Sequence, residues 1–307
     1  MLYIHVPEQG DHWQALLQAA LPEMPVLAAP SEVDTDQVRF LATWRPPEGL
    51  FARFPRLEAV FALGAGVDRF LARPDLDPAV ALIRLSDAGM ARQMLEYVQF
   101  GLLRFQRRMD EYRALQIQGR WQVLAQRDAS ELRVSVLGLG AIGGQVALGL
   151  AAAGYRVSGW SRSPKALPGV RCLHGEAALD TLLGESDALV MILPNTPATR
   201  GLLDARRLQL LPSGAIVINA GRGEQLDLDA LLAGLRSGAL GGAQLDVFPE
   251  EPLPAEHPAW QTPRLHITPH VAAMTLPAPS ALQVAANLRA LLAGQRPQGL
   301  VDRARAY

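Results

Sequence analysis

Along the whole chain, short apolar runs alternate with stretches whose apolar positions recur every three or four residues. That alternation is the pattern of parallel α/β sheets, whose strands are buried on both faces and joined by helices. The first series predicts strands at "LYIHV" (2–6), "PVLAA" (25–29), "VRFLAT" (38–43), "LEAVFAL" (57–63) and "AVALIRL" (79–85), with helical candidates at 11–20 and 48–54. From Met90 the pattern turns helical and stays so to Trp121, with apolar positions that drift around more than one face. A linking helix followed by an arm that packs on a partner subunit accounts for such a stretch. A second series then predicts strands at 132–140, 155–160, 188–193, 215–220, 241–248 and 265–269, followed by a helix at 279–293 and a polar tail.

The two series predict two doubly wound parallel-sheet domains. The second series starts only after the long helix, and the last helix follows that series' final strand. Residues 1–97 plus 274–307 therefore form one expected domain. Residues 98–273 form the other, with an arm at about 98–125 and a ligand cleft between the domains.

The second series opens on a glycine-rich turn, Gly138-Leu139-Gly140-Ala141-Ile142-Gly143, directly after a strand and leading into an apolar helix. In that context G-x-G-x-x-G is the Rossmann dinucleotide fingerprint: the first glycine permits the turn, the second admits the pyrophosphate, and the third packs helix on strand. The N–H groups at the helix start, those of Ala141 and Ile142 included, suit an anion. An acid about 20 residues on usually binds the adenosine ribose. Here that tip reads Trp160-Ser161-Arg162-Ser163, with Lys165 behind and no acid. An arginine pairs with a 2′-phosphate that an acid would repel, and Ser161 and Ser163 offer hydroxyl donors. The expectation is NADP(H), preferred over NAD(H).

Later strands end in polar clusters. "INAGRG" brings Arg222, "LDVFPEEPLP" offers Asp246, Glu250 and Glu251, and "ITPH" ends on His270. Ligands of open α/β sheets bind outside the carboxyl ends of the strands, which is where all three clusters fall. Hydride transfer to a ketone builds charge on its oxygen, which requires a fixed cation and a proton donor. Arg222 can hold that oxygen and a neighbouring carboxylate. His270 can donate the proton, and a carboxylate beside it favours the imidazolium.

With these motifs assembled, the chain resembles the D-isomer-specific 2-hydroxyacid dehydrogenase family, and within it the NADPH-preferring glyoxylate/hydroxypyruvate reductases. The resemblance runs almost end to end, through "LGAGVD" (63–68), "GMARQMLEYV" (89–98), "LGLGAIG", "WSRSPK", "LPNTPAT" (193–199), "NAGRG", "LDVFPEEPLP" and "TPHVAAMT" (268–275). It implies a flavodoxin-like substrate domain beside the Rossmann domain. It also implies a catalytic Arg222, Glu251 and His270, the acid before Pro-Leu being Glu251 rather than Glu250. By the same resemblance Asp246 meets the nicotinamide amide, and Leu193, Pro194, Ala220 and Gly221 line the cofactor. The N–H groups of Ala65, Gly66 and Val67 bind the substrate carboxylate, and Trp44 sits against the substrate. Two departures stand out: Gly221 replaces the Ala or Ser of many relatives, and Arg45 adds a cation beside the expected pocket. The implied reaction is reduction of a small 2-keto acid (glyoxylate, hydroxypyruvate) to the D-2-hydroxy acid (glycolate, D-glycerate). The alternatives are a larger 2-keto acid, or a non-catalytic dinucleotide sensor that binds partner proteins.

Composition narrows the rest. The 307 residues carry a net charge of −1 with both signs interspersed, so neither nucleic acid nor an anionic membrane is an expected partner. A single cysteine, Cys172, and a start without a charged, then apolar, leader point to the cytoplasm. His266 and His270 are four apart but lie on a strand with Pro269 between them, so no metal site is expected. Trp13, Trp121 and Trp260 read as packing residues, Trp121 also as a candidate for a homodimer contact.

Overall fold

A computed structural model describes residues 1–307, and the chain divides into two compact units, Met1–Met90 with Thr275–Tyr307, and Ala91–Met274. The first break falls at the start of the long helix, earlier than residue 97, because that helix packs its buried Met94, Val98 and Leu102 with the second unit's core.

The first unit is built on five parallel strands, β1 (Leu2–His5), β2 (Val26–Ala28), β3 (Phe40–Thr43), β4 (Ala59–Ala62) and β5 (Ala81–Arg84), in the flavodoxin-like order β2-β1-β3-β4-β5. Helix α1 (Gly10–Ala20) packs on β2 and on the last helix of the chain, Pro277–Leu292. The expected helix at 48–54 is only a single tight turn, Phe51–Arg53, pinned by the buried Phe51 and Phe54. A four-residue helix, α2 (Asp68–Leu71), follows the loop after β4.

The second unit holds seven parallel strands: β6 (Arg133–Leu137), β7 (Arg156–Ser161), β8 (Val170–His174), β9 (Ala188–Met191), β10 (Ala215–Asn219), β11 (Leu240–Leu245) and β12 (Leu265–Ile267). Their order, β12-β11-β10-β9-β6-β7-β8, is the Rossmann order with one added edge strand. The continuous apolar runs resolve into two cores by simple alternation. Val134, Val136, Ala188, Val190, Ile216 and Ile218 face one core. Leu137, Leu189, Met191, Ala215 and Val217 face the other. Helices α3 (Met90–Gln106) and α5 (Ala141–Ala152) cover the first face, and α6 (Glu176–Gly184) and α8 (Leu228–Ser237) the second.

Three expectations need correction here. Strand β8 was not anticipated: as an edge strand it is only partly buried, and "VRCLH" spends two of five positions on Arg and His. The helix from Met90 does not run through to Trp121. It breaks at Arg108, which takes φ = 56°, resumes as α4 (Met109–Ile117), and gives way to irregular chain from Arg120. Trp121 is fully exposed and Trp260 half-exposed, so of the three tryptophans only Trp13 is a packing residue. Helix α7 (Ala205–Leu208) and α9 (Pro277–Leu292) complete the count.

Candidate active site

The glycine turn leaves the carboxyl end of β6, the strand where the sheet order reverses. Gly138 has φ = 105°, and a Cβ there would lie 2.5 Å from the Ile192 carbonyl oxygen. A Cβ on Gly143 would overlap the Gly138 carbonyl oxygen, so helix α5 rests directly on its own entry turn. Gly140 is different: a Cβ there meets no atom within 4 Å. The protein itself does not require glycine at 140, whereas a closely approaching pyrophosphate does. Gly140 caps α5 without a side-chain hydrogen bond and the first turn carries no acid, so the N–H groups beginning at Ala141 and Ile142 keep their positive end open to an anion.

Beside this turn runs β7, whose Trp160 carbonyl accepts from the Gly138 N–H at 2.8 Å. Arg162 follows two residues later, exposed, together with Ser163 and Lys165. Ser161 departs from expectation. It is buried at the strand's end and its hydroxyl donates to the Ser163 carbonyl at 2.8 Å, so it braces the loop that presents Arg162. These residues fit a dinucleotide carrying a 2′-phosphate.

At the other side of the sheet, the carboxyl ends of β10, β11 and β12 lie next to one another. After β10, buried Asn219 donates from Nδ2 to the Arg222 carbonyl and accepts the Gly221 N–H, both at 3.0 Å. Buried Gln225 ties the same turn to the loop after β9, donating to the Leu193 and Pro194 carbonyls at 3.0 and 2.9 Å. A Cβ on Gly221 would press on Gln225 Oε1 and Leu193, which accounts for glycine in place of a larger residue. Gly223 lies so close to the backbone of Phe248 and Pro249 that a Cβ would overlap it, which sets the Arg222 turn against the loop carrying Glu251.

Glu251 and His270 meet. His270 Nδ1 lies 2.9 Å from Glu251 Oε2, and Glu251 Oε1 accepts the Phe248 N–H at 3.2 Å. A carboxylate only accepts, so Nδ1 carries the hydrogen and Nε2 is the nitrogen turned to chemistry. Asp246 is almost wholly buried. Its Oδ1 accepts from Thr268 Oγ1 at 2.6 Å and the Val271 N–H at 2.8 Å, and its Oδ2 accepts the Ala272 N–H at 2.8 Å. Sequence reasoning placed Asp246 beside a nicotinamide and missed this bracing role. It also missed Asn219, Gln225, Thr268 and Tyr97, whose only signal is a polar residue in an otherwise apolar context.

In the first unit, the Trp44 ring covers Gly64 so closely that a Cβ there would overlap it. Ala65 and Gly66 follow, half-buried, and their N–H groups donate to no group of the protein. Buried Val67 caps α2. No group of three or more His, Cys, Asp and Glu side chains could hold a metal ion, and no helix is long and apolar enough to cross a membrane.

Comparison with known proteins shows the family. The family described as D-isomer specific 2-hydroxyacid dehydrogenase, NAD binding domain, matches residues 100–272. Glyoxylate/hydroxypyruvate reductase A of Serratia proteamaculans (strain 568) is 43% identical over 307 residues, covering 98% of each chain. A D-isomer specific 2-hydroxyacid dehydrogenase from Xanthobacter autotrophicus Py2, solved with NADPH and MES, superposes with a TM-score of 0.96 at 44% identity, covering 100% of this chain and 99% of that one. The NADPH-dependent glyoxylate/hydroxypyruvate reductase of Sinorhizobium meliloti, solved with NADP and sulfate, gives 0.93 at 35% identity over the same shares.

Proposed function

Because the chain belongs to the D-isomer specific 2-hydroxyacid dehydrogenase family, we propose that it reduces glyoxylate, hydroxypyruvate and similar small 2-keto acids to D-2-hydroxy acids, using NADPH in preference to NADH. The observation that carries this reading is the His270–Glu251 pair at 2.9 Å, braced beside the Arg222 turn at the carboxyl ends of adjacent strands.

Each residue then has a chemical task. The turn Gly138–Gly143 holds the pyrophosphate, with Leu193, Pro194, Ala220 and Gly221 along the remainder of the dinucleotide. Arg162 pairs with the 2′-phosphate, helped by Ser163. Asp246 uses three of its four acceptor positions on the loop that carries His270 and keeps one for the nicotinamide amide. The bound cofactor supplies a hydride. The N–H groups of Ala65, Gly66 and Val67 take the keto acid's carboxylate, and Trp44 limits its size. Arg222 stabilises charge growing on the carbonyl oxygen, and His270 delivers the proton from Nε2 while Glu251 steadies the imidazolium.

The relatives' names favour this substrate class over a larger keto acid, and a braced acid–base pair would be idle in a protein that only senses dinucleotide. Phe100, Leu103, Ile117, Trp121 and Val123 are exposed apolar side chains concentrated on α3, α4 and the irregular arm that follows. That concentration supports a two-fold homodimer joined through the arm. One cysteine in 307 residues fits a reducing cytoplasm. The test is consumption of NADPH and of NADH against glyoxylate, hydroxypyruvate and bulkier 2-keto acids. Preference for a bulky acid, or no turnover at all, would overturn the assignment.

A further inference from the structure

His270 has φ = 57°, a left-handed conformation that a non-glycine residue keeps only where its surroundings hold it. Asp246 does the holding, and it spans three successive N–H groups. Its backbone carbonyl accepts from His270 at 2.9 Å, Oδ1 from Val271 at 2.8 Å and Oδ2 from Ala272 at 2.8 Å. The Asp246 carboxylate can serve as this splint only if its own plane is fixed. Thr268 Oγ1 donates to Oδ1 at 2.6 Å. A hydroxyl has one hydrogen, and this one is committed to Asp246. The 2.7 Å contact between Tyr97 OH and Thr268 Oγ1 must then have the phenol donating. Tyr97 stands on α3, and its carbonyl accepts from Nε2 of Gln244, two residues before Asp246 on β11. The chain of donors therefore runs one way, from Tyr97 to Thr268 to Asp246.

We propose that Tyr97 and Thr268 are positioning residues for the proton donor, fixing through Asp246 the loop that aims His270. The proposal rests on the reading of His270 as the proton donor. Burial raises the Tyr97 phenol to about 12, so it stays a donor across the working pH range. Neither hydroxyl touches the His270 ring, whose partner is Glu251. Their effect is on geometry, and misplacing a catalytic group by about 1 Å can cost on the order of a hundredfold in rate.

The experiment compares Thr268→Val, Thr268→Ser, Tyr97→Phe and the double variant Tyr97→Phe/Thr268→Val in full-length enzyme. Each is measured for kcat and KM with glyoxylate and NADPH, and for NADPH Kd by fluorescence. Thr268→Val should lower kcat by about ten- to a hundredfold with KM and NADPH Kd changed less than about threefold. Thr268→Ser, which keeps the donating hydroxyl, should restore kcat. Tyr97→Phe should act in the same direction but less, and the double variant should be no worse than Thr268→Val, since Tyr97 works only through Thr268. Wild-type kcat in Thr268→Val, even with reduced Tm, would make the link purely structural and overturn the proposal. Additive losses in the double variant would also overturn the relay. Should Thr268→Val not fold, Tyr97→Phe decides by the same criteria. His270→Ala is the control: its retaining full kcat would instead remove the underlying assignment of the proton donor.

Discussion

Gly140 and Gly143 stand in the same turn, and replacing each by alanine separates the space reserved for a ligand from the space the protein fills itself. At Gly143 the added methyl overlaps a backbone carbonyl, Gly138 O, which no rotamer change can move. Helix α5 would have to lift off the turn, at a cost of about 1–3 kcal/mol, and apo Tm should fall by several degrees. At Gly140 nothing lies within 4 Å, and φ = −75° with ψ = −164° is open to any residue. Apo stability should be unchanged or raised by about 0.5–1 kcal/mol, through the stiffer unfolded chain. The same methyl, however, occupies the approach of the pyrophosphate. A loss of only about 1.4 kcal/mol in that contact raises the NADPH Kd about tenfold, and the thermal shift that NADPH gives the wild type should shrink accordingly. Thermal denaturation with and without NADPH, alongside fluorescence titration, reads both effects. A well-folded Gly140→Ala variant that binds NADPH as tightly as wild type would refute the placement of the phosphates.

Arg162→Ala should weaken NADPH use in kcat/KM by roughly ten- to a hundredfold, the worth of one charge-assisted contact, and leave NADH use nearly unchanged. Equal damage to both cofactors would remove the 2′-phosphate role. Asp110 accepts from Arg104 at 2.8 Å and lies 2.8 Å from His266 Nε2. Burial alone would raise its carboxyl, but hydrogen bonds from those two residues outweigh it and hold the carboxyl below its ordinary value. Its contribution is therefore complete above the ordinary carboxylate range and lost as pH falls through the depressed folded-state value. Asp110→Asn should lower Tm at neutral pH, with the difference closing below about pH 4. Sedimentation at micromolar concentration should find a dimer, and charged substitutions at Ile117 and Trp121 should shift it toward monomer.

Most of the sheet architecture was legible because parallel strands buried on both faces read as unbroken apolar runs. "ALVMIL" and "AIVINA" could be nothing else. Strand β8 lacked that signal because the edge of a sheet tolerates Arg171 and His174. The break at Arg108 was hidden for a different reason: a left-handed arginine leaves no glycine to mark it. In the site, the residues that do chemistry were visible as polar residues at strand ends. Those that hold them were not, because Asp246 acts on backbone N–H groups, which every residue but proline carries, and because Tyr97 is far from Thr268 in sequence. Ser161 shows the converse error. A hydroxyl beside Arg162 looked available, and only the fold reveals that its hydrogen is committed to Ser163.

The central claim is that His270, held by Glu251, donates the proton in NADPH-dependent reduction of a 2-keto acid. It is met most directly by kcat for glyoxylate in wild type, His270→Ala and Glu251→Gln, with NADPH Kd determined for each. His270→Ala should lose about 10²–10⁴-fold in kcat while binding NADPH normally. Glu251→Gln keeps the size of the side chain but removes the charge 2.9 Å from Nδ1, so kcat should fall while NADPH Kd stays as in wild type. An active His270→Ala enzyme, or wild-type kcat in Glu251→Gln, would contradict the account.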